Sequence, residues 1–155
     1  MPGEESVGKV TRSSRWRDLR RVAWAQVALL AAQLRLWLRP VGKLVVCRTD
    51  VASVPLTNDQ WAEAEEAALA VDRASRRGLF RPRCLVRALA LQRLLESRGI
   101  TGSVVRIGVR RNANALLAHA WVEHGSVILG DTRAMVANFT VLTDARLATS
   151  RGDTR

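Results

Sequence analysis

Three residues of this chain have the types and the order that nucleophilic acyl chemistry requires: Cys84, His119 and Asp131. A thiol attacks as its thiolate, needs an imidazole within hydrogen-bond reach, and that imidazole needs a third group to fix its tautomer. Cys84 follows the loop Leu79-Phe80-Arg81-Pro82-Arg83 and opens a helical pattern. It therefore falls in a first helical turn, where unpaired backbone N–H groups and the positive dipole end favour a thiolate and can cradle an oxyanion. Arg81, Arg83 and Arg87 add positive potential around it. His119 lies inside the apolar run Leu117-Ala118-His119-Ala120-Trp121-Val122-Glu123, and Asp131 follows twelve residues later. Cys84 also reads as a small buried residue and His119 as a hydrogen-bonded core group, and spacing leaves both readings open. Cys47, within Leu44-Val45-Val46-Cys47, reads as buried and inert.

The elements that must position these residues can be read from periodicity. Residues 1–13 are polar, contain Pro2, Gly3 and Gly8, and read as a disordered end. Residues 14–150 read as one domain, with an N-terminal helical region over 15–39. In that region Trp16, Leu19, Ala23, Val27, Leu30, Leu34 and Trp37 follow the spacing of one apolar helix stripe, closed by Pro40 and Gly42. The stripe suits packing on the domain. It also suits docking to a partner or a membrane face, because Arg15, Arg17, Arg20, Arg21, Arg35 and Arg39 flank it. The uncharged stretch Val22 to Leu34 is 13 residues, short of the ~20 that span a bilayer. Residues 40–56 form a connector. Thr57-Asn58-Asp59-Gln60 then opens a second helix with a capping box, its inner stripe Trp61, Ala64, Ala68 and Val71, stopped by Gly78. A third helix runs from Cys84 to Arg98, with Gly99 at its end.

Beyond Gly99 the period changes to two. Val105, Ile107 and Val109 alternate as in a strand, residues 111–115 form a loop, Leu117–Glu123 is a second strand and Ser126–Leu129 a third, with a turn at His124-Gly125. Helices first and antiparallel strands after give an α+β fold. Strand arithmetic constrains the triad. A two-residue turn at His124-Gly125 pairs His119 with Gly130 and turns Asp131 to the opposite face. An odd-length loop, or a bulge between Ser126 and Asp131, puts Asp131 on the face of His119.

Composition bounds the alternatives. Nearly half the residues are apolar and a quarter charged, which excludes a simple disordered chain. Two cysteines exclude a disulfide scaffold and a four-cysteine zinc site, and two histidines leave little for a histidine metal cluster. The net charge is +11, almost all of the cationic residues being Arg and spread along the chain. That fits phosphate, nucleic-acid or acidic-peptide binding as well as plain codon bias. The first 20 residues lack the apolar core of a secretory signal, so the expected location is cytoplasmic.

The series Cys84-Leu85-Val86-Arg87-Ala88-Leu89, Arg98-Gly99-Ile100, Arg106-Ile107-Gly108-Val109, Ala118-His119-Ala120-Trp121-Val122-Glu123 and Gly130-Asp131 resembles the transglutaminase-like cysteine protease of lasso-peptide biosynthesis. The resemblance covers roughly residues 57–131, and the hydrophobic helix before Pro40 is similar to that family's N-terminal region. It implies a papain-like or transglutaminase-like fold, with a nucleophilic Cys84 at a helix N-terminus packed on a small antiparallel sheet. It implies His119 as base, Asp131 as orienting carboxylate, and removal of a leader from a ribosomally made lasso precursor peptide.

The family's longer members carry a leader-recognition domain, and this chain is expected to work without one of its own. The resemblance therefore also implies a separate small leader-binding protein and an asparagine-synthetase-like cyclase that closes the macrolactam. No Gly-rich phosphate loop followed by Lys is present, so no cofactor is expected on this chain, and any ATP belongs to the cyclase. Gly108 and Gly130 are given no ligand role. Two rival functions remain: a transglutaminase or acyltransferase using the same three residues, and a non-enzymatic basic module binding nucleic acid or membrane. Neither nucleic acid nor membrane is the favoured partner.

Overall fold

The computed structural model describes residues 7–38, 55–78, 80–113 and 115–142. Its elements in chain order are α1 (Val7–Leu38), α2 (Asn58–Arg77), α3 (Cys84–Ser97), β1 (Ser103–Asn112), β2 (Ala115–His124), β3 (Val127–Leu129), α4 (Arg133–Val136) and β4 (Thr140–Val141). The expected α+β architecture is present: three long helices and one antiparallel sheet of order β3-β2-β1-β4. The connector with Leu44 to Cys47 and the end of the domain beyond residue 142 lie outside the described residues.

The helices meet on small side chains. Ala64, Ala67, Ala70 and Ala74 of α2 are buried, as are Ala25, Leu29 and Ala32 of α1 and Val86, Ala90, Leu91 and Leu95 of α3. Alanines let helix axes approach closely, and the sheet closes this core with Ala120, Val122 and Leu129. α2 begins at the expected capping box: the Gln60 backbone N–H donates to Thr57 Oγ1 at 3.3 Å, and the Thr57 N–H donates to Gln60 Oε1 at 3.0 Å. Gly78 ends α2, but in an extended conformation rather than a left-handed one. Glycine suits the position because a Cβ there would overlap the Gln26 side chain and the Ala74 carbonyl.

Two expectations about α1 are corrected. The helix starts at Val7, so residues 7–13 continue it rather than forming a disordered end. The stripe Trp16, Leu19, Ala23, Val27, Leu30, Leu34 and Trp37 is the outer face, exposed throughout. The packed face is Val22, Ala25, Leu29, Ala32 and Leu36. The helix is apolar on both sides, so the spacing fitted either stripe. The small side chains decide, because Ala25 and Ala32 let α1 approach the alanine-rich α2, where the tryptophans of the outer stripe would not fit.

The strands also run further than the periodicity suggests. β1 pairs with β2 from Ser103↔His124 to Asn112↔Ala115, so residues 111, 112 and 115 of the expected loop 111–115 belong to strands, and Ala113 is left-handed at φ 45°. β2 and β3 pair as Val122↔Leu129, Glu123↔Ile128 and His124↔Val127. His124 is thus a strand residue. The turn is Gly125-Ser126, and a glycine at its first position with φ +59° is the type II′ pattern. α4 and β4 have no counterpart in the sequence reading.

Candidate active site

Cys84 is the first residue of α3, and its half-buried side chain carries a free thiol. The helix starts there because Arg83 is extended (φ −69°, ψ 161°) at the N-cap. The first intrahelical backbone bond is Arg87 N–H to the Arg83 carbonyl, 3.1 Å. Unlike α2, α3 has no side-chain cap. Its first-turn N–H groups therefore remain as donors beside the thiol, the geometry that holds an oxyanion.

His119 and Asp131 are joined by a hydrogen bond of 2.6 Å between Nε2 and Oδ2, each side chain less than a fifth exposed. A carboxylate only accepts, so Nε2 carries the proton and Nδ1 keeps the lone pair. In the neutral ring Nδ1 is therefore the nitrogen left to accept a proton. The expected odd-length loop is absent, since the β2–β3 turn has two residues. In that register Asp131 would fall opposite Ala120, on the wrong face. Instead pairing stops at Leu129, and Gly130 adopts φ +75°, redirecting the chain so that Asp131 turns back to His119. The left-handed glycine, lying between Ser126 and Asp131, does what an odd loop or a bulge in that stretch was expected to do.

Cys84, His119, Asp131 and Gly130 line one cavity, with Val71 of α2 and Arg87 of α3 on its wall. Its volume is about 20 Å³, room for one water molecule. The cavity lies where β3 has ended and β2 has become a sheet edge, so a side chain on that edge can meet the start of α3. Of the three arginines expected to raise the potential around Cys84, Arg87 is paired: its Nη2 lies 3.3 Å from Asp72, which also binds Arg76 at 3.0 Å.

Five residues around the site were not singled out by type and spacing: Trp121, Glu123, Arg106, Phe139 and Gly108. Trp121 stacks on His119, ring centroids 6.1 Å apart and planes 21° apart. Its Nε1–H donates to Glu123 Oε1 at 2.8 Å, and Arg106 donates to Glu123 Oε2 at 3.0 Å. Phe139, the residue before β4, is tilted to the imidazole by 37°, ring centroids 5.3 Å apart. The i, i+2, i+4 spacing of 119, 121 and 123 was the available signal, since alternate strand residues share a face. Gly108 pairs with His119 across the ladder, and a Cβ there would come within 2.8–2.9 Å of the Trp121 ring and Phe139 Cβ. Its missing side chain leaves room for the rings that hold the imidazole.

His124, the other histidine, is buried and bonds through Nδ1 to Ser103 Oγ at 3.1 Å. It is a structural residue at the far end of the β1–β2 ladder. No group of three His, Cys, Asp or Glu side chains among the described residues could hold a metal ion. No helix among them is long and apolar enough to cross a membrane.

An uncapped helix beginning at a cysteine lines one cavity with a carboxylate-bound histidine on a strand edge, an arrangement suited to thiol-dependent acyl transfer. Residues 26–144 match the family model described as the transglutaminase-like superfamily, and the chain belongs to that superfamily. Membership points to cysteine-protease or transglutaminase-type chemistry. No curated protein and no solved structure matches the chain.

Proposed function

We propose that this chain is a cysteine peptidase that removes the leader from a ribosomally made lasso precursor peptide, using Cys84 as nucleophile, His119 as base and acid, and Asp131 as orienting carboxylate. The observation that carries the reading is the Asp131-bound His119 lining the same small cavity as a cysteine at an uncapped helix N-terminus. The lasso assignment draws on the motif resemblance, and superfamily membership supports the chemistry more broadly. The Cys84 sulfur attacks the scissile carbonyl, and His119 Nδ1 accepts the thiol proton. The carbonyl oxygen takes the negative charge and is held by first-turn N–H groups of α3. As the C–N bond breaks, the Nδ1–H protonates the departing amine, which is the new N-terminus of the core peptide. Water then enters, His119 takes its proton, and the thioester is hydrolysed to a leader carboxylic acid.

In this reading a small leader-binding protein presents the precursor, and an asparagine-synthetase-like cyclase uses the freed amine. The decisive experiment is incubation with precursor and leader-binding protein, followed by mass spectrometry. A free leader acid plus core peptide supports the peptidase. A leader–amine adduct makes the chain an acyltransferase on the same residues. An intact precursor, with leader-binding protein and cyclase both present, removes the assignment.

A further inference from the structure

A second concave surface lies at the opposite end of α3 from Cys84. Arg17, Arg20, Arg21 and Trp24, spaced i, i+3, i+4 and i+7 on α1, face Leu94 of α3 and its C-cap Arg98 across a groove of about 440 Å³. The volume falls in the range of about 300–1,000 Å³ that suits a bound ligand. Its floor is apolar and its rim cationic, and Trp24 is 64% exposed. Only part of this charge is compensated. Arg21 pairs with Glu66 at 2.7 Å, whereas Arg98 donates to the neutral backbone carbonyl of Glu63 at 2.8 Å. Arg17 and Arg20 have no ion-pair partner among the described residues.

We infer that this groove binds an acidic peptide segment, carboxylates on the Arg17, Arg20 and Arg98 guanidiniums and an apolar side chain against Trp24 and Leu94. Guanidiniums match carboxylates in forked pairs, which gives orientation as well as attraction. Concavity favours a chain over a bilayer, which would meet the outer face of α1 rather than enter a groove. The proposal rests on the peptidase reading in one respect: it takes the segment to belong to the peptide substrate. Arg98 lies fourteen positions beyond Cys84, about 21 Å at the helical rise. An extended peptide covers at most ~3.3–3.6 Å per residue, so a chain reaching both places spans at least about six residues. The acidic positions recognised here therefore lie six or more residues from the scissile bond.

The test uses the full chain with Cys84→Ala, so that binding is read without cleavage. Fluorescence anisotropy at low salt compares a labelled Glu- and Leu-bearing peptide with its Gln-for-Glu twin. The acidic peptide is expected to bind at least about tenfold more tightly. Arg17→Glu with Arg20→Glu removes that advantage, as does the milder Arg17→Gln with Arg20→Gln, with unchanged circular dichroism. Arg111→Glu, at the far hairpin, leaves it within about twofold. Equal affinity for the two peptides overturns the proposal, and so does an equal loss in Arg111→Glu, which would mean a diffuse field rather than a groove. Binding to phosphatidylglycerol vesicles without binding to the acidic peptide assigns the surface to lipid and overturns it as well. Failure of the peptidase reading is seen separately, as absent cleavage by the unmodified chain with peptide binding intact.

Discussion

Asp131 takes one nitrogen of His119 and so decides which nitrogen is left for the thiol. With the Nε2–H held at 2.6 Å by the carboxylate, the proposed mechanism takes Nδ1 as the base, its tautomer fixed before any substrate arrives. On the proposed mechanism the three residues lose function unequally. Cys84→Ala and His119→Ala abolish leader release with unchanged circular dichroism. Asp131→Asn retains the hydrogen-bonding shape but frees the tautomer, so kcat falls on the order of 10²–10⁴-fold without reaching zero. Single-turnover mass spectrometry with excess enzyme separates these outcomes. Full activity in Cys84→Ser would remove the thiolate mechanism. His124 behaves differently, because its pairing with Ser103 is buried: His124→Ala lowers stability by about 1–3 kcal/mol while kcat of the folded fraction is kept. Urea unfolding beside a kcat measurement distinguishes the two roles.

At the scale of elements, the site depends on two glycines. Gly130 at φ +75° turns the chain after β3, and a Cβ there would meet Leu91 Cδ2 at 3.0 Å. Gly130→Ala therefore carries backbone strain of about 1–2 kcal/mol and misaims Asp131. The expected signature is a loss in kcat larger than the modest fall in Tm accounts for. Gly108→Val pushes on the Trp121 ring and Phe139 and frees the imidazole they hold, with the same signature. The candidate residues Cys84, His119 and Asp131 were legible from residue type and helix-start chemistry, and the requirement that Asp131 share a face with His119 was legible from strand period. The device that meets the requirement was not. A dihedral choice at Gly130 leaves no periodic trace, whereas loop length was an equally good solution on paper. Trp121 and Glu123 were visible as part of a motif, but their roles depend on the ring stack and the Arg106–Glu123 pair, which cross-strand register creates.

At the scale of the whole molecule, α1 is the element whose placement the pattern could not decide. Its two apolar faces satisfy the same 3.6-residue period, and the choice rests on which side chains fit the alanines of α2. Neighbouring residues therefore give a sharp contrast: Leu29 is fully buried, whereas Leu30 is 43% exposed. Leu29→Ala opens a cavity between α1 and the helices it covers, which costs about 2–5 kcal/mol and lowers Tm by roughly 10 °C. Leu30→Ala and Leu34→Ala remove as many carbon atoms from the outer face and leave Tm within about 2 °C. The Arg21–Glu66 pair, more than a third exposed on each side, adds little to this attachment, so Glu66→Gln costs under about 1 kcal/mol. Thermal melts of these four variants measure the packing of α1 with no reference to peptidase activity. If Leu30→Ala were the destabilising change and Leu29→Ala the silent one, the outer stripe would be the packed one. Trp24 would then be covered, and the cationic groove beside it would close.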